Sequence, residues 1–224
     1  MYDKFFTLSR ENMVHNQIIT NNVKNEFLIE AFLTVQKELF IPKSQLSIVY
    51  SDSEIPFSET RSMIKTFLLA KLFEFCNFNA NQSILVVGCL TGYSVAIISK
   101  LAGYVFGLES NNELVNQANK TLSEIACHNC SVNYGKLSDG LKKNSPYDSV
   151  IIEGSVEKIS NKVLEQVKEG GKIYTIFKNK SSVIGECMVG VKIDGTVSFR
   201  HLFNANAKLL QEFKNRGIQD EFKN

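Results

Sequence analysis

The chain is predicted to be an α/β protein with a mostly parallel sheet and a Rossmann-like nucleotide-binding loop. Three features carry that prediction. From Ser83 onward, short apolar runs alternate with amphipathic stretches of helix length, the pattern of a parallel sheet covered by helices on both faces. The first of these runs ends in Gly88-Cys89-Leu90-Thr91-Gly92 and leads directly into a helical pattern. Glu109 then closes the next apolar run, 21 residues after Gly88, where such folds place the acid that grips the hydroxyls of a ribose.

The elements follow in order. Residues from about Arg10 to Leu39 read as two helices, with Met13, Val14, Gln17 and Ile18 on one face of the first and Phe27, Leu28, Ala31, Phe32 and Val35 on one face of the second. Ile41-Pro42 ends that region, because proline disfavours helix in the residue before it. A looser stretch runs from Ser44 to Thr60, and helical periodicity returns over Met63 to Phe78 through Phe67, Leu68, Ala70, Leu72 and Phe73. With no flexible linker after it, this first third (1–80) reads as a helical cap packed on the core. Residues 81–210 read as the Rossmann-like domain. Its strands are Ser83–Gly88, Tyr104–Leu108, a weaker Cys130–Tyr134, Asp148–Ile152 and Lys172–Phe177, with helices over Ser94–Leu101, Asn112–Ala126 and Lys162–Lys168. Val189–Ile193 and Thr196–Phe199 flank Asp194-Gly195, a dipeptide favoured in two-residue hairpin turns, so an antiparallel hairpin is expected at one sheet edge. Residues 211–224 read as a polar, fraying tail.

Composition excludes several classes. The 224 residues are 44% hydrophobic and 21% charged, ordinary for a globular chain and too apolar for disorder. A net charge of +2, with lysine and arginine scattered, gives no footprint for nucleic acid. No run approaches the roughly 18 apolar residues of a membrane span. Five cysteines, an odd number, without a visible signal segment lead to the expectation of reduced thiols in the cytoplasm. Cys127-His128-Asn129-Cys130 is half of a zinc pattern, but structural zinc takes four ligands and no second pair follows, so no metal is expected. His15, His128 and His201 stand apart from one another.

The chemistry centres on the glycine loop. Gly88, Cys89, Leu90 and Gly92 lie where glycines permit a sharp turn and close approach to a ligand, and the helix that follows offers free N–H groups. Glu153 closes the fourth strand, and Arg61 lies in the loop before the third helix. An arginine there offers a carboxylate two parallel hydrogen bonds.

The residues resemble the protein-L-isoaspartate O-methyltransferases. The likeness runs through Met13-Val14, Gln17-Ile18, Glu38, Phe40, Pro42, Tyr50-Ser51-Asp52, the Gly88–Gly92 loop, Glu109, Gly135, Pro146-Tyr147-Asp148, Leu164-Glu165-Gln166 and Gly170-Gly171. It covers about residues 13 to 178; beyond Phe177 the chain looks like a divergent bacterial branch. The resemblance implies a class I methyltransferase sheet of seven strands, S-adenosylmethionine as cofactor, and a damaged protein or peptide carboxylate as substrate. By the same resemblance, Lys136 and Leu137 stand beside the cofactor's base.

Three departures qualify it. Where the family loop is Gly-x-Gly-x-Gly, the middle glycine is Leu90. Where the family carries Gly-Asp-Gly, this chain has Gly135-Lys136-Leu137, and an ammonium cannot accept a hydrogen bond from an adenine amine. The signature Thr-Ile-Ser-Gln-Pro becomes Ser62-Met63-Ile64-Lys65-Thr66, keeping the first hydroxyl and losing the serine, so the resemblance implies Ser62, with Arg61 beside it and Glu153, as the candidate catalytic residues. A cofactor-binding homologue without isoaspartyl activity is therefore the alternative expectation. A nicotinamide-dependent oxidoreductase is a further one, without a hydride-transfer site to favour it.

Overall fold

A computed structural model describes residues 2–179 and 181–215. The sheet has seven strands: β3 (Ser83–Val87), β4 (Tyr104–Glu109), β5 (Cys130–Tyr134), β6 (Tyr147–Val156), β7 (Val167–Phe177), β8 (Gly185–Ile193) and β9 (Thr196–Ala205). Their spatial order is β5-β4-β3-β6-β7-β8-β9. The first five are mutually parallel, and β8 runs antiparallel to both β7 and β9. Strand order reverses between β3 and β6, and the carboxyl ends of strands at such a reversal are the place where open α/β sheets bind ligands.

Why β3 reads as an unbroken apolar run is visible in its burial. Ile84 and Val86 belong to the hydrophobic cluster on one face, Leu85 and Val87 to the cluster on the other, as the two-residue period of a strand buried on both faces requires. The first face is covered by α1 (Tyr2–Met13), α2 (Glu26–Thr34), α3 (Thr66–Cys76), α4 (Tyr93–Ser99) and α5 (Asn112–Glu124). Every residue of α4 is buried. Phe32 of α2 meets Tyr93 of α4 edge-on at 6.3 Å, so the N-terminal third shares one core with the sheet. Asn25 and Asn111 cap α2 and α5 by accepting backbone N–H bonds. Arg10, 7% exposed, ties α1 in place by donating to the Leu33 carbonyl, Glu38 and the Tyr50 hydroxyl.

Several sequence expectations are corrected. Helix α1 continues as a π-helical turn (Val14–Ile18) and a 3₁₀ turn (Ile19–Asn21). Phe27, placed on the apolar face of α2, is 78% exposed. Met63 belongs not to a helix but to a two-strand ribbon, β1 (Ile55–Pro56) with β2 (Ser62–Met63), because Ser62 pairs with Pro56 and Met63 with Ile55. The sixth helix, α6 (Asn161–Glu165), is shorter than expected, and β7 starts at Val167, before the glycine pair. Gly170 at φ +74° lets the strand bulge there and resume its pairing at Lys172. The hairpin at Asp194-Gly195 is present, with both residues at positive φ, and its strands are longer than the apolar runs suggested. The tail does not fray throughout, since Phe213 is 1% exposed in the second cluster. Residues 216–224, also read as tail, lie outside the described residues.

Candidate functional site

The glycine loop forms where sequence reading put it. Gly88 and Gly92 take φ of +79° and +85°, and Leu90 between them takes +51°. The left-handed region costs a residue with a Cβ about 1–2 kcal/mol, and burial of the leucine side chain (3% exposed) offsets that cost. Beneath the loop, Glu109 ends β4, wholly buried.

Sequence reading did not anticipate what holds Glu109. Its Oε1 accepts from Arg61 Nη1 (3.0 Å) and from the N–H groups of Ser110 (2.8 Å) and Asn111 (3.2 Å). Its Oε2 accepts from Arg61 Nη2 (2.8 Å) and the Leu90 N–H (2.9 Å). Arg61 Nη2 also donates to the Gly88 carbonyl at 3.1 Å. Two expectations change with this. The loop amide of Leu90 is engaged by the protein itself, and Arg61 is turned inward as a fork on Glu109, its side chain 17% exposed. The arginine is placed by the β1–β2 ribbon, whose tip closes as the Phe57 and Ser58 N–H groups both donate to the Arg61 carbonyl.

The other candidates fall around this pair. Ser62 donates to Glu54 Oε2 at 2.6 Å and so is turned along the ribbon, away from Glu109. Ile64 is 5% exposed and part of the core. Glu153 sits inside β6 rather than at its end, just past Ile152, where pairing with β3 stops. Its Oε1 and the Ser94 hydroxyl at the start of α4 are both sealed from solvent without a hydrogen bond of good geometry, and the two groups stand close enough to interact with each other. Cys89, 1% exposed, packs its thiol toward the Leu108 carbonyl. Leu137 joins the second hydrophobic cluster, and Lys136 is exposed at the rim of a cavity of about 440 Å³ that Ser138, Ser160 and Phe213 also line.

A second feature missed from sequence is the segment 207–213. Ser155 of β6 donates to the Lys208 carbonyl and accepts from the Leu210 N–H, each at 2.9 Å, so the segment lies along the end of β6. There Leu210 reaches the glycine loop: a Cβ built on Gly88 would stand 3.5 Å from Leu210 Cδ1, Arg61 Nη2 and the Glu153 carbonyl alike. Lys208 Nζ donates to the Ser58 and Glu59 carbonyls, joining this strap to the ribbon. The signal for it was the apolar pair Leu209-Leu210, followed by Phe213 in a polar stretch.

Burial raises the Glu153 carboxyl from the ordinary carboxylate range to about 7. The folded state then binds its proton more tightly than the unfolded state, so this group lowers stability as pH rises from about 4.5 to 7, and the loss persists above that. Glu153→Gln should match the parent near pH 4.5 and exceed it by about 3 kcal/mol at pH 8. Urea unfolding at the two pH values checks this, and an equal difference at both would remove the assignment.

The donor set fits a nucleoside carrying an amino-acid end. Glu109 offers a buried carboxylate at a strand end for a diol, while Glu153 Oε1 and the Ser94 hydroxyl are buried polar atoms lacking a hydrogen bond of good geometry. What stands over Glu109 is Arg61, a movable side chain of the same protein.

Comparisons with known proteins agree with this architecture. The family model described as Protein-L-isoaspartate(D-aspartate) O-methyltransferase (PCMT) matches residues 8–200. A protein-L-isoaspartate O-methyltransferase 2 of Shewanella sediminis is 28% identical over 165 residues, covering 74% of this chain and 68% of that protein. One from Geobacter metallireducens is 27% identical over 168 residues, covering 75% and 78%. Among solved structures, a protein-L-isoaspartate O-methyltransferase superposes with a TM-score of 0.81 at 22% identity, over 92% of this chain and 67% of that one. A putative one from Plasmodium falciparum, in complex with S-adenosyl-L-homocysteine, gives 0.76 at 16% identity, over 91% and 98%. At those identities the two structures share the fold.

Proposed function

We infer, since the chain belongs to the protein-L-isoaspartate(D-aspartate) O-methyltransferase family, that it is an S-adenosylmethionine-dependent methyltransferase acting on a protein carboxylate of isoaspartyl type. The observation that carries this reading is the strand β3, the Gly88–Gly92 turn and helix α4, with Glu109 at the end of the neighbouring strand. The cofactor supplies a methyl group already activated on a sulfonium. The protein's part is positioning, which can provide most of the rate effect in such a transfer. Glu109 would hold the ribose hydroxyls. Glu153 and Ser94, whose buried oxygens lack a hydrogen bond of good geometry, would receive the amino-acid end. The cap and ribbon, residues 1–80 in our division, would bring the acceptor carboxylate to residues 81–210. The setting we propose is the cytoplasm and the role repair of damaged proteins, in line with an odd cysteine number and the family's substrate.

A second reading, a cofactor-binding homologue without isoaspartyl turnover, draws on Ile64. The hydroxyl at that position in the family is replaced by a side chain packed in the core. Transfer of labelled methyl to an isoaspartyl peptide separates the two. We expect turnover at least about 100-fold below that of a full-signature relative, the usual contribution of one directed hydrogen-bonding group. Equal turnover would show that Ile64 carries no penalty. S-adenosylhomocysteine should nevertheless bind, and absence of heat at millimolar ligand would end the cofactor reading.

A further inference from the structure

Arg61 satisfies the residue that a cofactor would need. Glu109 has two carboxylate oxygens, and the guanidinium takes one N–H bond to each in a parallel fork, at 3.0 and 2.8 Å. A diol on a ligand would seek those same oxygens, so nucleoside and Arg61 compete for one acceptor. The arginine cannot simply be ignored by a ligand, because its Nη2 also covers the Gly88 carbonyl beside Leu210, over the turn the ligand must approach. Backbone N–H groups of Leu90, Ser110 and Asn111 keep Glu109 in place when the fork leaves. The arginine stem is anchored on the ribbon by its backbone, through Ser58 and Phe57, whereas its head hydrogen-bonds Glu109 and the Gly88 carbonyl. Displacement therefore releases a guanidinium that stays tethered beside the glycine turn, its bidentate partner gone and the buried Glu153 the carboxyl group left near it.

We propose that Arg61 is an exchange residue. It occupies the nucleoside-binding carboxylate of Glu109 in the free protein and, once displaced by the cofactor, receives the carboxylate of the acceptor. This rests on the cofactor reading above and deepens it by naming what recognises the acceptor's charge. A carboxylate suits the freed fork because it presents the same two oxygens that Glu109 did. Two consequences follow. The cofactor precedes the acceptor, since the fork is not available before. And the acceptor, by drawing Arg61 away from Glu109, raises cofactor affinity by the factor that the cofactor raises acceptor affinity. Arg61 is a positioning and specificity residue on this account, not a proton carrier.

The test is calorimetric titration of S-adenosylhomocysteine into the full chain, with and without an isoaspartyl peptide, for the parent, Arg61→Ala, Arg61→Gln and Arg61→Lys. Removing the competitor should tighten S-adenosylhomocysteine binding on the order of tenfold in Arg61→Ala and Arg61→Gln, where loss of a cofactor contact would weaken it. The glutamine variant keeps the measurement available if the alanine variant unfolds. The peptide should tighten binding on the order of tenfold in the parent and have no effect in the alanine and glutamine variants. Arg61→Lys, a point charge without a fork, should bind the cofactor more tightly than the parent and show reduced coupling. If parent and variants bind S-adenosylhomocysteine equally, or the peptide leaves the parent's affinity unchanged, the exchange role is overturned while the cofactor reading stands. If none of them binds at millimolar ligand, the cofactor reading fails and the exchange falls with it.

Discussion

Glu109→Ala should lower unfolding free energy by about 3–5 kcal/mol, the range for removing one partner of a buried ion pair. The carboxylate is wholly buried and accepts from Arg61 and from the Leu90, Ser110 and Asn111 N–H groups. Alanine leaves those backbone donors without an acceptor in a place where water does not replace it, and each unsatisfied group costs about 1–3 kcal/mol. It also frees Arg61, whose partial exposure lets it turn to solvent, which keeps the loss toward the lower end. The same substitution should abolish measurable S-adenosylhomocysteine binding, because the diol loses its acceptor. Urea unfolding gives the first quantity and calorimetric titration the second. A stability change below about 1 kcal/mol would mean that the loop amides find other partners, and the description of Glu109 as the organiser of the turn would be wrong.

Leu210→Ala is expected to cost about 3 kcal/mol, within the range for a buried leucine cut to alanine. The side chain is 2% exposed, packs in the second cluster, and lies over Gly88 and Gly154. A Cβ on Gly154 would stand 2.7 Å from Leu210 Cγ, so the strap fits closely and little can relax into the space. For a chain of this length the change corresponds to a fall in Tm of about 6–12 °C, measurable by scanning calorimetry. A shift under about 2 °C would show that the segment from Ala207 to Phe213 rests on the sheet without stabilising it.

The sheet was largely legible because its rule is local. A central parallel strand buried on both faces must be apolar along its buried length, and Ile84 to Val87, Val105 to Leu108 and Val150 to Ile152 meet that rule in sequence alone. Gly88 and Glu109 followed from the same geometry. What escaped prediction depends on contacts between distant residues. Nothing in the neighbourhood of Arg61 indicates that its partner lies 48 positions later, since the ribbon that aims it is made by pairing of Ile55 with Met63 and Pro56 with Ser62. The start of β7 was masked by Gly170-Gly171, which read as an end and is a bulge inside the strand. The strap was hidden by composition: three apolar residues in a polar stretch cannot reveal a surface they cover. Ser62 shows how residue type says little about a partner. Its residue type matched a functional position, but the hydroxyl is bound to Glu54.

The backbone at Leu90 holds a left-handed angle of +51° that a glycine adopts freely. The strain of about 1–2 kcal/mol is near what burying the leucine side chain returns, so glycine and leucine at this position are close to equal for folding. They differ in the space they leave beside the turn. Stability measurements on Leu90→Gly are therefore blind to what this side chain does, and only ligand binding reads it.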